Sequence, residues 1–149
     1  MIGDLAHYRP TNSLAKLFAL YPKIRLSLAT PKQVPIQNEV RQYLRQKRVN
    51  FSEYTDFTDI LSEADVLYVT RVKKEYMSGE LYQEIKGSYI VNRSTAKKMK
   101  KGSIIMHCLP RIDEIDTEVD ADSRSIYLTK QLGNSLYVRM ALLDLILRR

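Results

Sequence analysis

The chain has 149 residues, 44% of them hydrophobic, enough for one compact domain with a real core. No apolar run approaches the ~20 residues needed to cross a bilayer, and the start, Met1-Ile2-Gly3-Asp4-Leu5, lacks the basic stretch and apolar run of a secretory signal. The net charge of +7 admits nucleic acid, a membrane surface or a small anion as partner.

Taken in order, the elements begin awkwardly. Met1-Ile2 reads as the tail of a strand with Gly3-Asp4 as its turn, whereas a strand needs ~4–6 residues. The chain is therefore expected to continue upstream or to be half of a larger fold. A helix is predicted from about Thr11 to Tyr21, with Pro10 in its first turn, where the missing N–H costs nothing. Ile24–Ala29 reads as a strand and Asn38–Arg48 as a helix with Val40, Tyr43 and Leu44 on one face. Val49–Tyr54 alternates with the period of a strand, and Phe57–Ala64 reads as a short helix. Asp65–Thr70 is almost wholly apolar, as in a strand buried on both faces. Ser94 is expected to cap a helix from Thr95 to Lys100, ended by Gly102. Ser103–His107 follows as a strand. Asn134–Arg149 is the longest helical stretch, with Leu136, Met140, Leu143, Ile146 and Leu147 along one side.

Alternating strands and helices imply an α/β fold: a three-layer sandwich with a parallel sheet between helical layers. Such sheets bind ligands at the carboxyl ends of their strands. The loops after Ile2, Thr70 and His107 are therefore the ones to read. The first ends in Arg9 beside a helix N-terminus, a good place for a carboxylate or phosphate. The second, Arg71-Val72-Lys73-Lys74, has three cations in four positions. In the third, His107-Cys108-Leu109-Pro110-Arg111, the Leu-Pro pair is expected to hold Leu109 extended, with carbonyls free to face a ligand. His107 and Cys108 leave three readings open: a metal site, a Cys–His nucleophile pair, and an inert buried cysteine. Two histidines and one cysteine count against a metal site, and no cofactor is expected.

The cysteine count excludes an internal disulfide and suits a reducing, cytoplasmic setting. The basic groups Arg41, Arg45, Lys47, Arg48 and Lys97, Lys98, Lys100, Lys101 lie along helical stretches and read as solvated faces. Neither nucleic acid nor membrane is expected as partner; a polyanion site rests on charge alone.

Read together, Gly3-Asp4-Leu5…Arg9, Thr70-Arg71-Val72-x-Lys74-Glu75 and His107-x-Leu109-Pro110-Arg111-x-Asp113-Glu114-Ile115 resemble the aspartate domain of the aspartate carbamoyltransferases. The resemblance runs on through Glu118-Val119-Asp120 and Tyr127 to Gln131…Asn134…Arg139-Met140-Ala141-Leu142-Leu143, and so covers the whole chain. It implies a Rossmann-like carbamoyltransferase domain that serves pyrimidine biosynthesis. That family moves a carbamoyl group from carbamoyl phosphate to the amine of L-aspartate. It further implies that Arg9 and Arg71, helped by Lys73, bind the two aspartate carboxylates. The backbone at Cys108, Leu109 and Pro110 would orient the amine and carbamoyl group, with His107 and Arg111 in support. The family's Ser-Thr-Arg-Thr phosphate loop and carbonyl-polarising histidine belong to a first domain and do not occur in residues 1–149. The expected partners are thus L-aspartate, a carbamoyl-phosphate-binding domain in the same longer chain or a separate subunit, and further copies in a homotrimer. Alone, the chain is expected to be inactive.

Five positions depart from the family's pattern: Tyr8 for glycine, Pro10 for a hydroxyl residue, Asn12 for histidine, Lys73 for glutamine and Cys108 for proline. The Cys108 form resembles the sister ornithine enzymes, while Thr70-Arg71-Val72 is of the aspartate type. These departures suit a degenerate paralogue acting as a binding or assembly module as an alternative, and a different acidic acceptor as a third reading. Repelled by Arg71, Lys73 is expected to swing toward solvent when no anion is bound.

Overall fold

The computed structural model describes residues 1–148. Four named strands, all parallel, form its sheet. β1 (Arg25–Ala29) pairs with β2 (Asn50–Tyr54), and β3 (Val66–Val69) pairs with β4 (Ile104–His107). The first residues join the two pairs. Ile2 bridges Ala29 on one side and Val69 on the other. Its backbone N–H donates to Tyr68 at 2.9 Å, and Thr70 N–H donates back to Ile2 at 3.0 Å. The expected strand tail at Met1-Ile2 is thus the centre of the sheet. The spatial order is β2, β1, residues 1–2, β3, β4.

Side-chain alternation along these strands sends two apolar sets to opposite faces. Leu26 and Leu28 pack with Leu5, Ala15, Val40 and Leu44, beneath α1 (Arg9–Phe18) and α2 (Asn38–Gln46). Leu67, Val69 and Ile105 pack on the other side with Phe57, Ile60, Ala96 and Met99. That layer holds a 3₁₀ turn at Phe57–Ile60 and α4 (Arg93–Lys97). Burying each such side chain contributes about 1.5–3 kcal/mol, so the two faces, and not the short helices, stabilise the sandwich. The α/β three-layer expectation holds.

Several boundaries differ from expectation. α1 begins at Arg9, two residues early, because Thr11 turns inward and its hydroxyl donates to Tyr8 O at 2.6 Å. α2 stops before Arg48, which takes a left-handed φ of 55° while Val49 N–H closes on Leu44 O. This is the helix stop usually made by glycine. The helix expected over 57–64 is helical only as that 3₁₀ turn. β3 leaves Val66 46% exposed, so its start is not buried on both faces. α4 is capped by Asn92 rather than Ser94, in a reciprocal capping box with Thr95. The sequence reading had no helix at α3 (Gly79–Ile85), although Ser78 caps it and Leu81 and Ile85 have helical spacing.

α5 (Lys130–Leu147) starts four residues early and buries none of its residues; the expected end at Arg149 lies outside the described residues. Apolar side chains surround it, with Leu136, Tyr137, Met140, Leu143 and Ile146 all more than half exposed. No described helix is long and apolar enough to cross a membrane.

Candidate functional site

The three loops meet at the carboxyl edge of the sheet, and a buried carboxylate joins the first two. Asp4 is fully buried. It accepts from the Ala6 and His7 N–H groups at 3.1 and 2.9 Å, faces His7 Nδ1 at 3.0 Å, and accepts from Lys73 N–H at 3.3 Å. A buried carboxylate is tolerated only with such partners. Here they tie together residues 69 apart in sequence. Gly3 allows the approach. Its φ is +108°, and a Cβ there would stand 2.2 Å from Thr70 O, so only glycine fits.

At the start of the second loop, Arg71 donates from Nη2 to Glu75 at 2.6 Å, while its buried Nε has no partner. One terminal nitrogen of the guanidinium is thus held by Glu75, while its Nε stays buried and unpartnered. Arg9 is exposed at the first turn of α1. Lys73 does not swing into solvent. Its Nζ lies 4.9 Å from the Tyr8 ring centre and 4.7 Å from that of Tyr76. Attraction to two aromatic faces offsets the repulsion from Arg71.

Tyr8, nearly buried, links the first loop to the third. Its hydroxyl lies beside the Cys108 thiol and the Arg71 guanidinium. Burial, then the Cys108 contact, pushes its pKa up to about 12, against the pull of Arg71. Burial likewise pushes the Cys108 thiol up, although the Tyr8 and Tyr68 hydroxyls act the other way. Cys108 is therefore a protonated thiol at neutral pH. Its neighbours are tyrosines, whereas the His107 ring faces Glu114. This removes the Cys–His nucleophile reading. Among the described residues no three His, Cys, Asp or Glu side chains cluster as metal ligands.

The third loop is braced from behind. His107 is fully buried; its Nδ1 accepts from Leu109 N–H at 2.9 Å, which puts the ring proton on Nε2. Nε2 lies 2.6 Å from Glu114 Oε1, but off the N–H axis, so the two atoms touch without a well-aimed hydrogen bond. Glu114 also accepts from the Ile112 and Asp113 N–H groups at 3.1 Å each. Burial raises the Glu114 pKa, but His107 and the backbone donors outweigh it and hold the carboxyl below its usual range. Gln131, at the start of α5, extends this brace: its amide accepts from His107 N–H at 3.2 Å and donates to His107 O at 2.5 Å.

Arg111 is not free for a ligand. It grips Asp120 with both terminal nitrogens, the Nη2 contact being 2.7 Å, and Tyr127 joins the pair. Leu109 is left-handed, with φ 50°, and the Leu109–Pro110 bond is cis. The expected extended backbone at Leu109 is thus corrected. His107 Nδ1 captures the Leu109 N–H, and that local bond overrides the pre-proline preference. Pro110 is exposed at the loop's tip.

The structure thus brings Tyr8, Arg71, Lys73 and Cys108 together, sets Arg9 next to Tyr8, and puts His107 and Arg111 behind the third loop. Asp4 is legible in the sequence as a turn residue and as part of the first motif, but not as the buried tie between loops, and Tyr68 and Tyr76 carry no local signal of a site role. The pattern Asp4-x-x-His7, a side chain able to bond the backbone two and three residues on, was the available signal for Asp4. A hollow of about 250 Å³ lies elsewhere, between Pro31, Thr55, Ile85 and Tyr89. It is lined by no residue of this cluster.

Comparison with known proteins shows the family and fold of the chain. The family described as "Aspartate/ornithine carbamoyltransferase, Asp/Orn binding domain" matches residues 1–146. Aspartate carbamoyltransferase 1, chloroplastic, of Pisum sativum is 40% identical over 149 residues, covering 99% of this chain and 38% of that protein. The multifunctional protein pyr1-3 of Dictyostelium discoideum is 42% identical over 147 residues, 98% of this chain and 6% of its own length. Among solved structures, the catalytic subunit of M. jannaschii aspartate transcarbamoylase superposes with a TM-score of 0.86 at 36% identity, over 95% of this chain and 45% of that one. Aspartate transcarbamoylase from Trypanosoma cruzi in complex with N-(phosphonacetyl)-L-aspartic acid gives 0.84 at 31% identity, over 95% of this chain and 46% of that one. The chain therefore spans less than half the length of each of these relatives.

Proposed function

Because this chain belongs to the aspartate/ornithine carbamoyltransferase family, as an Asp/Orn-binding domain, we propose that it is the L-aspartate-binding half of an aspartate carbamoyltransferase. The observation that carries this is the convergence of the three loops on Arg71. Asp4 bonds the second loop to the first, and the nearly buried Tyr8 lies near Arg71 and Cys108, under the Lys73 ammonium. In this reading Arg71 and Arg9 take the two carboxylates, and Lys73 adds a third cation. Planar guanidinium forks match carboxylates in shape as well as charge. Backbone carbonyls of Leu109 and Pro110 accept from the aspartate amine and aim its lone pair at the carbamoyl carbon. The new C–N bond forms at the carbamoyl carbon, the C–O bond to phosphate breaks, and the proton lost from the amine leaves on the departing phosphate.

The phosphate and the polarised carbonyl need donors from a carbamoyl-phosphate-binding domain, in the same longer chain or on a separate subunit. The unburied apolar surface of α5 supports such a partner, because a helix hydrophobic all round is stable only when covered. On this reading the domain alone transfers no carbamoyl group, and the assembled enzyme is a homotrimer. A pyrimidine-biosynthetic role follows from the reaction; its cellular setting is proposed as cytoplasmic.

One observation favours a second reading, a degenerate paralogue serving as a binding or assembly module. Tyr8 fills space beside Arg71 and Cys108 where the family's pattern has glycine. Calorimetric titration with L-aspartate and with succinate separates the two. Binding that is lost in Arg71→Ala, a change worth about 2–5 kcal/mol, supports the aspartate site. Equal affinity in parent and variant overturns it, and no binding by the parent favours the paralogue.

A further inference from the structure

The lysine at position 73 is held in a way that its side chain alone cannot achieve. A free lysine samples many rotamers, and fixing it costs entropy each time a ligand binds. Here its ammonium lies within 5 Å of two ring centres, 4.9 Å for Tyr8 and 4.7 Å for Tyr76. The rings are themselves fixed. Tyr8 is nearly buried against Cys108 and Arg71. Tyr76 stacks on the His7 ring at 5.6 Å and 20°, and His7 is anchored by Asp4. Asp4 also takes the Lys73 N–H, so both ends of the lysine are tied to one seam. No described carboxylate pairs with its ammonium, whereas the Arg71 guanidinium pairs with Glu75. An aromatic face attracts a cation without neutralising it, and leaves its N–H donors for an anion.

We propose that Tyr8 and Tyr76 are positioning residues that fix the Lys73 ammonium as a third, preorganised cation beside Arg9 and Arg71, and that this clasp sets the site's specificity toward anions bearing a third negative group. The inference rests on the reading of Arg9 and Arg71 as the carboxylate-binding pair. Tyr8 is the link among them: next to Arg9 in the chain, its hydroxyl against Arg71, its ring under Lys73. Two carboxylates satisfy two arginines and leave the third cation unmatched. A third carboxylate or a phosphoryl group meets a charge whose ordering cost folding has already met.

The test uses the full chain, with succinate as the dianion and tricarballylate as the trianion, by calorimetry at constant ionic strength. The parent should bind tricarballylate about tenfold more tightly than succinate, the ratio expected of one added charge-assisted contact. Lys73→Met should remove the preference. Tyr76→Leu, at an exposed position, should cut it by about three- to tenfold, the cost of immobilising one long side chain, and Tyr76→Phe should keep it, because the ring and not the hydroxyl clasps the ammonium. In the parent the Lys73 ε-CH₂ proton resonances should be shifted upfield by the rings, a shift lost in Tyr76→Leu and kept in Tyr76→Phe. Full preference in Tyr76→Leu, or its loss in Tyr76→Phe, overturns the clasp while Arg71→Ala still abolishes binding of both anions. If Arg71→Ala leaves both affinities intact, the acceptor-site reading itself falls, and the clasp with it.

Discussion

Replacing Gly3 by alanine should unfasten the first two loops at their narrowest point. The backbone there has φ +108°, outside the range open to a side chain, and the added Cβ would meet Thr70 O at 2.2 Å and Thr70 Oγ1 at 2.6 Å. Neither neighbour can yield freely. Thr70 N–H donates to Ile2 O at 3.0 Å, and the Thr70 hydroxyl donates to the same oxygen at 3.0 Å. Relieving the clash by about 1 Å would break both, at about 0.5–1.5 kcal/mol each. Forcing alanine into positive φ adds about 1–2 kcal/mol. The sum is about 2–5 kcal/mol, a large share of the 5–15 kcal/mol that holds a typical domain together. Thermal unfolding followed by circular dichroism should then show Tm lower by roughly 4–20 °C, at about 2–4 °C per kcal/mol for a chain of this size. Aspartate affinity should fall with it, because Asp4 next door carries the bond to Lys73. A Tm within about 2 °C of the parent, with binding intact, would refute the claim that this contact sets the loops' register.

Two further outcomes follow from the same geometry. Asp122 is held down to about 2 by the Arg124 guanidinium, which meets it at 2.6 Å. A folded-state value below the unfolded one, ~3.9, stabilises above the unfolded value and is lost as pH falls through the folded one. Asp122→Asn should therefore cost about 1–2 kcal/mol at pH 7, and the gap between variant and parent in urea unfolding should close from about pH 4 down to pH 2. A gap that persists at pH 2 would show that the loss is not electrostatic. On α5, the double change Leu136→Glu and Leu143→Glu alters side chains 56% and 58% exposed. Tm of the domain should stay within about 2 °C, as for surface changes, while association with a carbamoyl-phosphate-binding domain, measured by sedimentation, should be lost. Unchanged association would remove α5 from that interface.

Much of the fold was legible because period-two and period-3.6 patterns report which side of an element faces the core. That is why β1, α2 and β4 lie within about two residues of where hydrophobicity predicts. The three-loop arrangement was legible for a topological reason: parallel strands deliver their carboxyl ends to one edge. Boundaries decided by single polar bonds were not. Arg48 ends a helix in a position suited to glycine, and Leu109 leaves the extended region for a bond to His107. Local pattern cannot weigh such bonds, because the partner's position depends on the folded chain.

The residues around the candidate site divide in the same way. Its cations, Arg9, Arg71 and Lys73, are evident from sequence, since charge after a buried strand is a local property. Their states are not. Asp4 and Lys73 are 69 residues apart, and only the sheet, with Ile2 seated between β1 and β3, brings them to 3.3 Å. Charge repulsion considered alone sends Lys73 into solvent; the aromatic faces of Tyr8 and Tyr76 hold it in place, and one of those rings arrives from another loop. Sequence determines which groups are available and on which edge of the sheet they emerge. Tertiary structure decides which of them touch, because hydrogen bonds and cation–π contacts fall off within a few ångströms, a distance that only packing sets.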